Sequence, residues 1–219
     1  MNKSFIYLFV IIIVCVPALK AQSPIVAQPG IKLGLNYASF IGKDSEGYYS
    51  RAAVLAGVNL RFRFSDEIAL QTEINFTMKG SAEDIDVTQI DSSASAGSYA
   101  VVTYRIHYLE LPVLMYYRLK VMDKDILRPV FFAGPAIGLK ISSTRETTYG
   151  SADISSDLTD IKGMELSTVF GLGLEVNTGD HSSFDFELRY NLGLTKIDES
   201  YDNINYRLGV FSLIIGYTF

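Results

Sequence analysis

From residue 30 onward the chain alternates apolar and polar positions with a period of two. That is the pattern of a strand whose faces meet different surroundings. It is clearest in residues 68–79, where Ile68, Leu70, Ile74, Phe76 and Met78 oppose Ala69, Gln71, Glu73, Asn75 and Lys79. Residues 54–64 set Val54, Val58, Leu60 and Phe62 against Leu55, Gly57, Asn59, Arg61 and Arg63. Residues 164–176 set Leu166, Phe170, Leu172 and Leu174 against Glu165, Gly171, Gly173 and Glu175. Residues 184–194 set Phe184, Phe186, Leu188 and Tyr190 against Asp185, Glu187, Arg189 and Asn191. The pattern is noisier in 30–40, 100–120, 128–141 and 205–219. Within 100–120 the apolar parity switches, from Val102, Tyr104, Ile106 and Tyr108 to Leu109, Leu111, Val113, Met115 and Tyr117. The switch predicts a β-bulge at 108–109. No segment keeps a 3.6-residue stripe, and no run of 18 apolar residues follows residue 22.

These segments make eight strands, joined alternately by short turns (64–67, 120–127, 178–182) and by longer polar connections (41–50, 81–99, 142–160, 197–204). An even strand number with short turns at one end and long loops at the other predicts an all-β, eight-stranded antiparallel up-and-down transmembrane β-barrel. A soluble barrel or sandwich alternates too, with its apolar face inward. Three features favour lipid outside. The polar face is rich in glycine (Gly34, Gly57, Gly134, Gly138, Gly171, Gly173, Gly193), which weakens a solvated strand but makes room inside a narrow barrel. The strands exceed the usual length of about 5–6 residues in soluble sheets. Aromatic residues cluster near strand ends, as in Tyr37 with Phe40, Phe62 with Phe64, Tyr116 with Tyr117 and Tyr217 with Phe219. Such residues form interfacial girdles.

Residues 1–21 read as a secretory signal peptide. Lys3 gives the positive start, residues 5–16 an apolar core of 12, and Ala21 the small residue before a cut. That core is too short to span roughly 30 Å of hydrocarbon. Residues 22–29 are then a short periplasmic lead-in, and 30–219 the barrel in the outer membrane, with both termini periplasmic. The lone Cys15 lies inside the signal core behind Val14, which argues against lipoprotein processing. Without further cysteines there is no disulfide scaffold or cysteine-built metal site. A net charge of −5 opposes nucleic-acid binding.

The polar face carries the candidate site. Ordered by depth from the short-turn end, Arg61, Arg63, Arg118 and Arg128 face Glu175, Asp185 and Glu187. Glu73 and Arg189 form a middle layer, and Lys79 and Lys140 with Glu110 and Glu165 an outer one. Opposite charges confined to a narrow lumen should pair, because an unpaired buried charge costs several kcal/mol. A plugged lumen is therefore expected rather than an open pore. The long connections hold thirteen acids, among them Asp44, Glu83, Asp84, Asp86, Asp91, Glu146, Asp153, Asp157, Asp198, Glu199 and Asp202, against the bases Lys43 and Arg145. No EF-hand-like loop occurs, and Asp84–Asp86 is a lone DxD. His107, three residues before Glu110, is the one candidate for rim catalysis, and His181 falls in a short turn. No HExxH, GxSxG, P-loop or dinucleotide fingerprint is present, so no catalytic residue, metal or cofactor is assigned.

Several stretches resemble one family: YLELPVLMYYRL (108–119), PVFFAGPAIGLK (129–140), FGLGLEV (170–176), ELRYNLGLTKI (187–197) and the terminal GYTF. They are similar to the PorT-like outer-membrane β-barrels of Bacteroidetes, over about residues 30–219. The resemblance implies a membrane barrel with outer-membrane lipid as its surroundings. It also implies that Phe219 serves as the terminal signal read by the barrel-assembly machinery. One branch of the family assists type IX protein secretion and gliding, which would add secretion-system membrane proteins as partners.

Overall fold

The computed structural model describes residues 26–43, 45–87, 99–120, 126–149, 152–179, 182–197 and 206–219. The signal peptide expected over 1–21, His181 and the loop acids Asp44, Asp91, Asp198, Glu199 and Asp202 lie outside the described residues. Nine strands occur among them: β1 (Val26–Ile41), β2 (Tyr48–Arg63), β3 (Ile68–Asp86), β4 (Tyr99–Arg118), β5 (Leu127–Tyr149), β6 (Ala152–Asp157), β7 (Met164–Asn177), β8 (Ser183–Gly193) and β9 (Arg207–Thr218). Eight of them close an antiparallel ring in the order β4-β3-β2-β1-β9-β8-β7-β5, with β5 pairing back onto β4. The ninth, β6, pairs only with the outer part of β5, from Thr144↔Asp157 to Tyr149↔Ala152. The seam joins β1 to β9 from Gly30↔Thr218 to Ile41↔Arg207, and the Phe219 N–H donates to the Pro29 carbonyl at 2.8 Å. A closed ladder leaves no unpaired sheet edge, which is what a strand structure needs in hydrocarbon.

The alternation runs inside out. Leu33 and Leu213 are 69% and 62% exposed, whereas Lys32 and Glu73 are 4% and 3% exposed. The outer wall carries Ile31, Leu35, Val58, Ile74, Leu111, Phe131, Leu172, Phe186 and Ile215. Polar and charged side chains fill much of the interior, as in a membrane barrel. Tight turns close the short-loop end. The Phe64 N–H donates to the Ile68 carbonyl at 3.0 Å, and Ser65 Oγ accepts from the Glu67 and Ile68 amides at 3.2 and 3.0 Å. Both described chain ends lie at this end, where Val26 pairs with Arg63.

Three expectations are corrected. First, β1 begins at Val26, so residues 26–29 of the lead-in belong to the sheet, paired with Arg63 to Leu60. Second, the connection expected over 142–160 is largely sheet, because β5 runs to Tyr149 and β6 folds back, and the one expected over 81–99 is sheet in its first part, because β3 runs to Asp86. The hydrogen-bond ladder continues past the apolar wall, where neither face needs oily side chains and the period-two signal fades. Third, β4 has no bulge at 108–109. Val102, Ile106, Tyr108, Glu110, Leu114, Tyr116 and Arg118 all point inward in unbroken alternation. The apolar parity switches because the interior itself becomes apolar near its outer end. The irregularity sits across the pair, in β5, where His107 opposes Ser142 and Tyr108 opposes Lys140, leaving Ile141 extra. A second bulge lies in β2 between Ser50 and Leu55.

The interior is lopsided. Ala69, Leu114, Tyr116, Val130, Phe132, Ala136 and Val169 form an apolar patch on the β3–β4–β5–β7 side, stacked by Tyr116 on Phe132 at 4.8 Å. Gly171 admits that patch, since a Cβ there would lie 2.5 Å from Phe132 Cζ and would also strike the Leu188 carbonyl. Gly171→Ala should therefore destabilise the barrel by about 1–3 kcal/mol. Urea unfolding in lipid vesicles, read by the mobility of unheated protein in gels, measures this, and an unchanged midpoint would contradict the tight packing.

Candidate functional site: the charged barrel lumen

Near the short-turn end, Arg61 on β2 reaches across to β7 and β8. It pairs with Glu175 at 2.9 Å and with Asp185 at 3.0 Å, and its Nε donates to Gln71 at 2.8 Å. Its guanidinium lies 5.0 Å over the Tyr116 ring, a favourable cation–π placement. Arg63 adds a pair to Glu175 at 3.2 Å and Arg118 another at 3.6 Å. Three arginines share two carboxylates here, and turn carbonyls take up further donors. Arg118 donates to Ser65 O at 2.7 Å and Arg128 to Asp66 O at 3.0 Å. Asp185 also accepts from Thr218 at 2.8 Å, which ties the layer to the end of β9.

The middle layer is the most complete. Arg189 on β8 grips Glu73 on β3 with both terminal nitrogens, at 2.9 and 3.0 Å, and contacts Glu187 at 2.7 Å. Lys32 on β1 bridges the same carboxylates at 2.7 and 3.3 Å. Gln71 and Asn75 donate to the two Glu73 oxygens at 2.6 and 2.8 Å. The Tyr116 hydroxyl donates to Glu187 at 2.8 Å. The four charged side chains of this layer are at most 2% exposed. Two cations thus meet two carboxylates whose four oxygens all accept hydrogen bonds, the condition under which buried charges are tolerable.

Further out, Lys79 pairs with Glu110 at 2.6 Å and Glu165 at 2.9 Å and lies 5.2 Å over the Tyr108 ring. Asn191 donates to Glu110 at 2.9 Å. Above this layer stands an apolar cap of Phe40, Ile106, Tyr108, Ile197 and Leu208, with Tyr48, Tyr104, Ile161 and Tyr206 packed against it. The ring of Phe40 contacts those of Tyr48, Tyr104 and Tyr206 at 5.2, 5.6 and 5.8 Å. The Tyr104 hydroxyl donates to Glu83 at 2.7 Å.

Several placements differ from the depth order read in the sequence. Glu187 belongs to the middle layer rather than the short-turn layer. Lys140 faces inward but donates to the Ile161 carbonyl instead of joining Lys79, Glu110 and Glu165. Lys32 was missed. Its signal was present, since it shares inward parity with Gly34 and Asn36, but the noisy alternation of its segment obscured it. Tyr116, hidden among aromatics assigned to a girdle, is a buried hydrogen-bonding member of the middle layer. His107 and Glu110 lie on opposite faces of β4. The His107 Nδ1 meets Ser142 Oγ at 2.8 Å, its ring stacks on Phe76 at 5.7 Å, and Glu110 is buried in the lumen. Three positions along a strand reverse the face, so the two cannot form one site. Among the described residues no group of three or more His, Cys, Asp or Glu could hold a metal ion.

Removing one partner of a buried pair strands the others, at a cost of about 3–5 kcal/mol. Glu73→Gln should destabilise by this order, and the double variant E73Q/R189M by less than the sum of the single changes. A double-mutant cycle by urea unfolding tests this, and additive effects would show that the two side chains are uncoupled. Burial and the hydrogen bond to Glu83 push the Tyr104 hydroxyl up to about 12 from an ordinary 10. Its neutral form stabilises the fold fully below about pH 10, and that contribution is lost as pH rises through about 12. Absorbance titration at 295 nm should show a late tyrosine step that Tyr104→Phe removes.

The family described as outer membrane protein beta-barrel domain matches residues 20–199. No curated protein matches the chain. Solved structures with which it shares a likeness include Neisserial surface protein A, at 11% identity and a TM-score of 0.48, over 89% of this chain and 99% of that one. Ail, the attachment invasion locus protein of Yersinia pestis, matches at 12% identity and 0.43, over 88% and 99% of the respective chains. OprG of Pseudomonas aeruginosa matches at 14% and 0.43, over 88% and 94%. With its family match spanning most of its length, the chain belongs to the outer membrane protein beta-barrel domain family.

Proposed function

We propose that this outer-membrane barrel has a closed lumen. In this reading it catalyses no reaction and serves the envelope as a scaffold or binding module. Its contacts run through the sheet extension of β2–β6 and the acidic connections beyond it. The observation that carries this reading is the lumen itself. Three layers of ion pairs cross it, and an aromatic cap stands over the outermost. The short-turn end with both termini would then face the periplasm, residues 1–21 would be removed as a signal peptide, and Phe219 would serve the assembly machinery. Purified protein in planar bilayers should give no steady conductance above the bare membrane. Ohmic single-channel currents from the folded barrel would overturn the closed lumen.

A second reading, an accessory of type IX secretion, has one observation in its favour. The two family-like stretches YLELPVLMYYRL and PVFFAGPAIGLK fall on adjacent strands, with Leu111 opposite Ile137, Pro112 opposite Ala136 and Tyr116 opposite Phe132, so they build one continuous piece of wall. Deletion of the gene separates the readings, because cargo held in the periplasm would support the accessory and ordinary secretion the scaffold. A rim hydrolase would rest on the Ser142–His107 contact. Among the described residues no carboxylate hydrogen-bonds that imidazole, so the ring lacks the orienting acid of a triad. His107→Ala should leave any lipid-ester hydrolysis by the preparation unchanged.

A further inference from the structure

Above the apolar wall, on the outside of the barrel, Arg51 of β2 and Arg105 of β4 approach one another across β3. The bulge between Ser50 and Leu55 puts Arg51 among outward-facing groups, where its electrostatic neighbours are Arg105 and Glu146. His107 feels both arginines. The β3 residue beside Arg105 is Gly80. It has a φ of +146°, and a Cβ there would strike the Tyr104 carbonyl, so no side chain stands between the two guanidinium groups. Directly below, the His107 ring lies flat on Phe76 at 5.7 Å, and Leu109, Leu111 and Val113 continue the wall downward.

The charges in this notch do not balance. Arg105 holds Glu146 at 2.6 Å, with the side chains 40% and 31% exposed. The Arg105 Nε is buried and unpaired. Among the described residues no carboxylate is within ion-pair distance of Arg51. The nearby Asp84 accepts from the Tyr49 hydroxyl at 3.1 Å. Two forked cations therefore share one carboxylate at the line where an oily surface ends. A guanidinium is best matched by an oxyanion that can accept two parallel hydrogen bonds. At this height on a membrane-spanning wall, such an oxyanion would belong to a headgroup whose acyl chains lie against Phe76 and Leu111.

We infer that Arg51 and Arg105, with Gly80 leaving the space between them, form an external site for the phosphate of a membrane lipid headgroup. The site extends the reading of the chain as a membrane-embedded barrel and rests on it. A phosphomonoester lipid fits better than a zwitterionic one, because among the described residues the notch sets two cations against the single ion-paired carboxylate of Glu146.

The test uses the full barrel in detergent micelles, observed by native mass spectrometry. The probes are dimyristoyl phosphatidic acid, the matching diacylglycerol and inorganic phosphate. Phosphatidic acid should bind at least tenfold more tightly than diacylglycerol, and millimolar inorganic phosphate should not displace it. R51Q/R105Q should bring phosphatidic acid down to the level of diacylglycerol, whereas K43Q/R207Q, with the same charge removed at the outer end of the β1–β9 seam, should not. Glu146→Gln frees Arg105 and should tighten phosphatidic acid binding severalfold, which a purely structural ion pair would not do. Equal binding of both lipids, unchanged binding by R51Q/R105Q, or displacement by inorganic phosphate would overturn the lipid site. Failure of the wild-type chain to insert into vesicles would instead overturn the membrane reading beneath it.

Discussion

Everything inside this barrel answers to the cost of keeping Glu73 ionised away from water. A lone carboxylate there would be prohibitive. Five donor groups from β1, β3 and β8 converge on its two oxygens. Those donors fix the inward parity of Lys32, Gln71, Asn75 and Arg189 at once. The same logic sets the neighbouring layers, where Arg61 answers Glu175 and Asp185, and Lys79 answers Glu110 and Glu165. A one-residue slip in any of these strands would turn a charge toward the apolar outside and leave its partner alone. The charge lattice is thus also the device that pins strand register.

The lumen is not uniformly polar, and the asymmetry has a cause. A ring of long charged side chains cannot be packed from all sides, because the tube is too narrow. One side of the wall therefore carries flat or small residues (Tyr116, Phe132, Ala136, Val169), over which the cations lie. Arg61 rests on Tyr116, and Arg189 rests on Phe132 at 5.3 Å. Arginine suits this arrangement because its face is weakly hydrated while its edge makes the hydrogen bonds. Beyond the outer ion pairs the described interior reverts to an ordinary aromatic core around Phe40 and Tyr108. That core packs under a sheet extension which leaves the apolar wall behind.

The outside obeys the opposite rule. Below the notch at Gly80 the outward positions are mostly apolar. Above it Arg105, Thr103 and Glu146 join Val101 and Tyr99, and the transition is marked by His107 stacked on Phe76. The barrel thus carries two charge systems of different character, one enclosed with its cations and carboxylates paired and one open with a guanidinium to spare. Only an open, incompletely answered pair can take a ligand without first breaking a buried salt bridge.

Period-two alternation by itself determined the strands of the wall and which residues share a face, and the glycines of the polar face, the strand length and the aromatic ends added the inside-out sense of the barrel. A strand has only two faces, and lipid and lumen demand opposite chemistry of them. It also placed most of the charged residues on the inner face, down to Arg61, Glu73 and Arg189. What it could not determine was who meets whom. Pairing depends on the stagger of strands distant in sequence, which brings Lys32 to Glu187 and leaves Lys140 with the Ile161 carbonyl. Nor could parity alone tell a bulge from a change of surroundings. The switch near Tyr108 reads the same either way, and only the closed ring showed that the strand stays regular while the interior turns apolar. The outer extension of β3, β5 and β6 was invisible for a related reason. Backbone hydrogen bonds hold a ladder together there without asking its side chains to alternate.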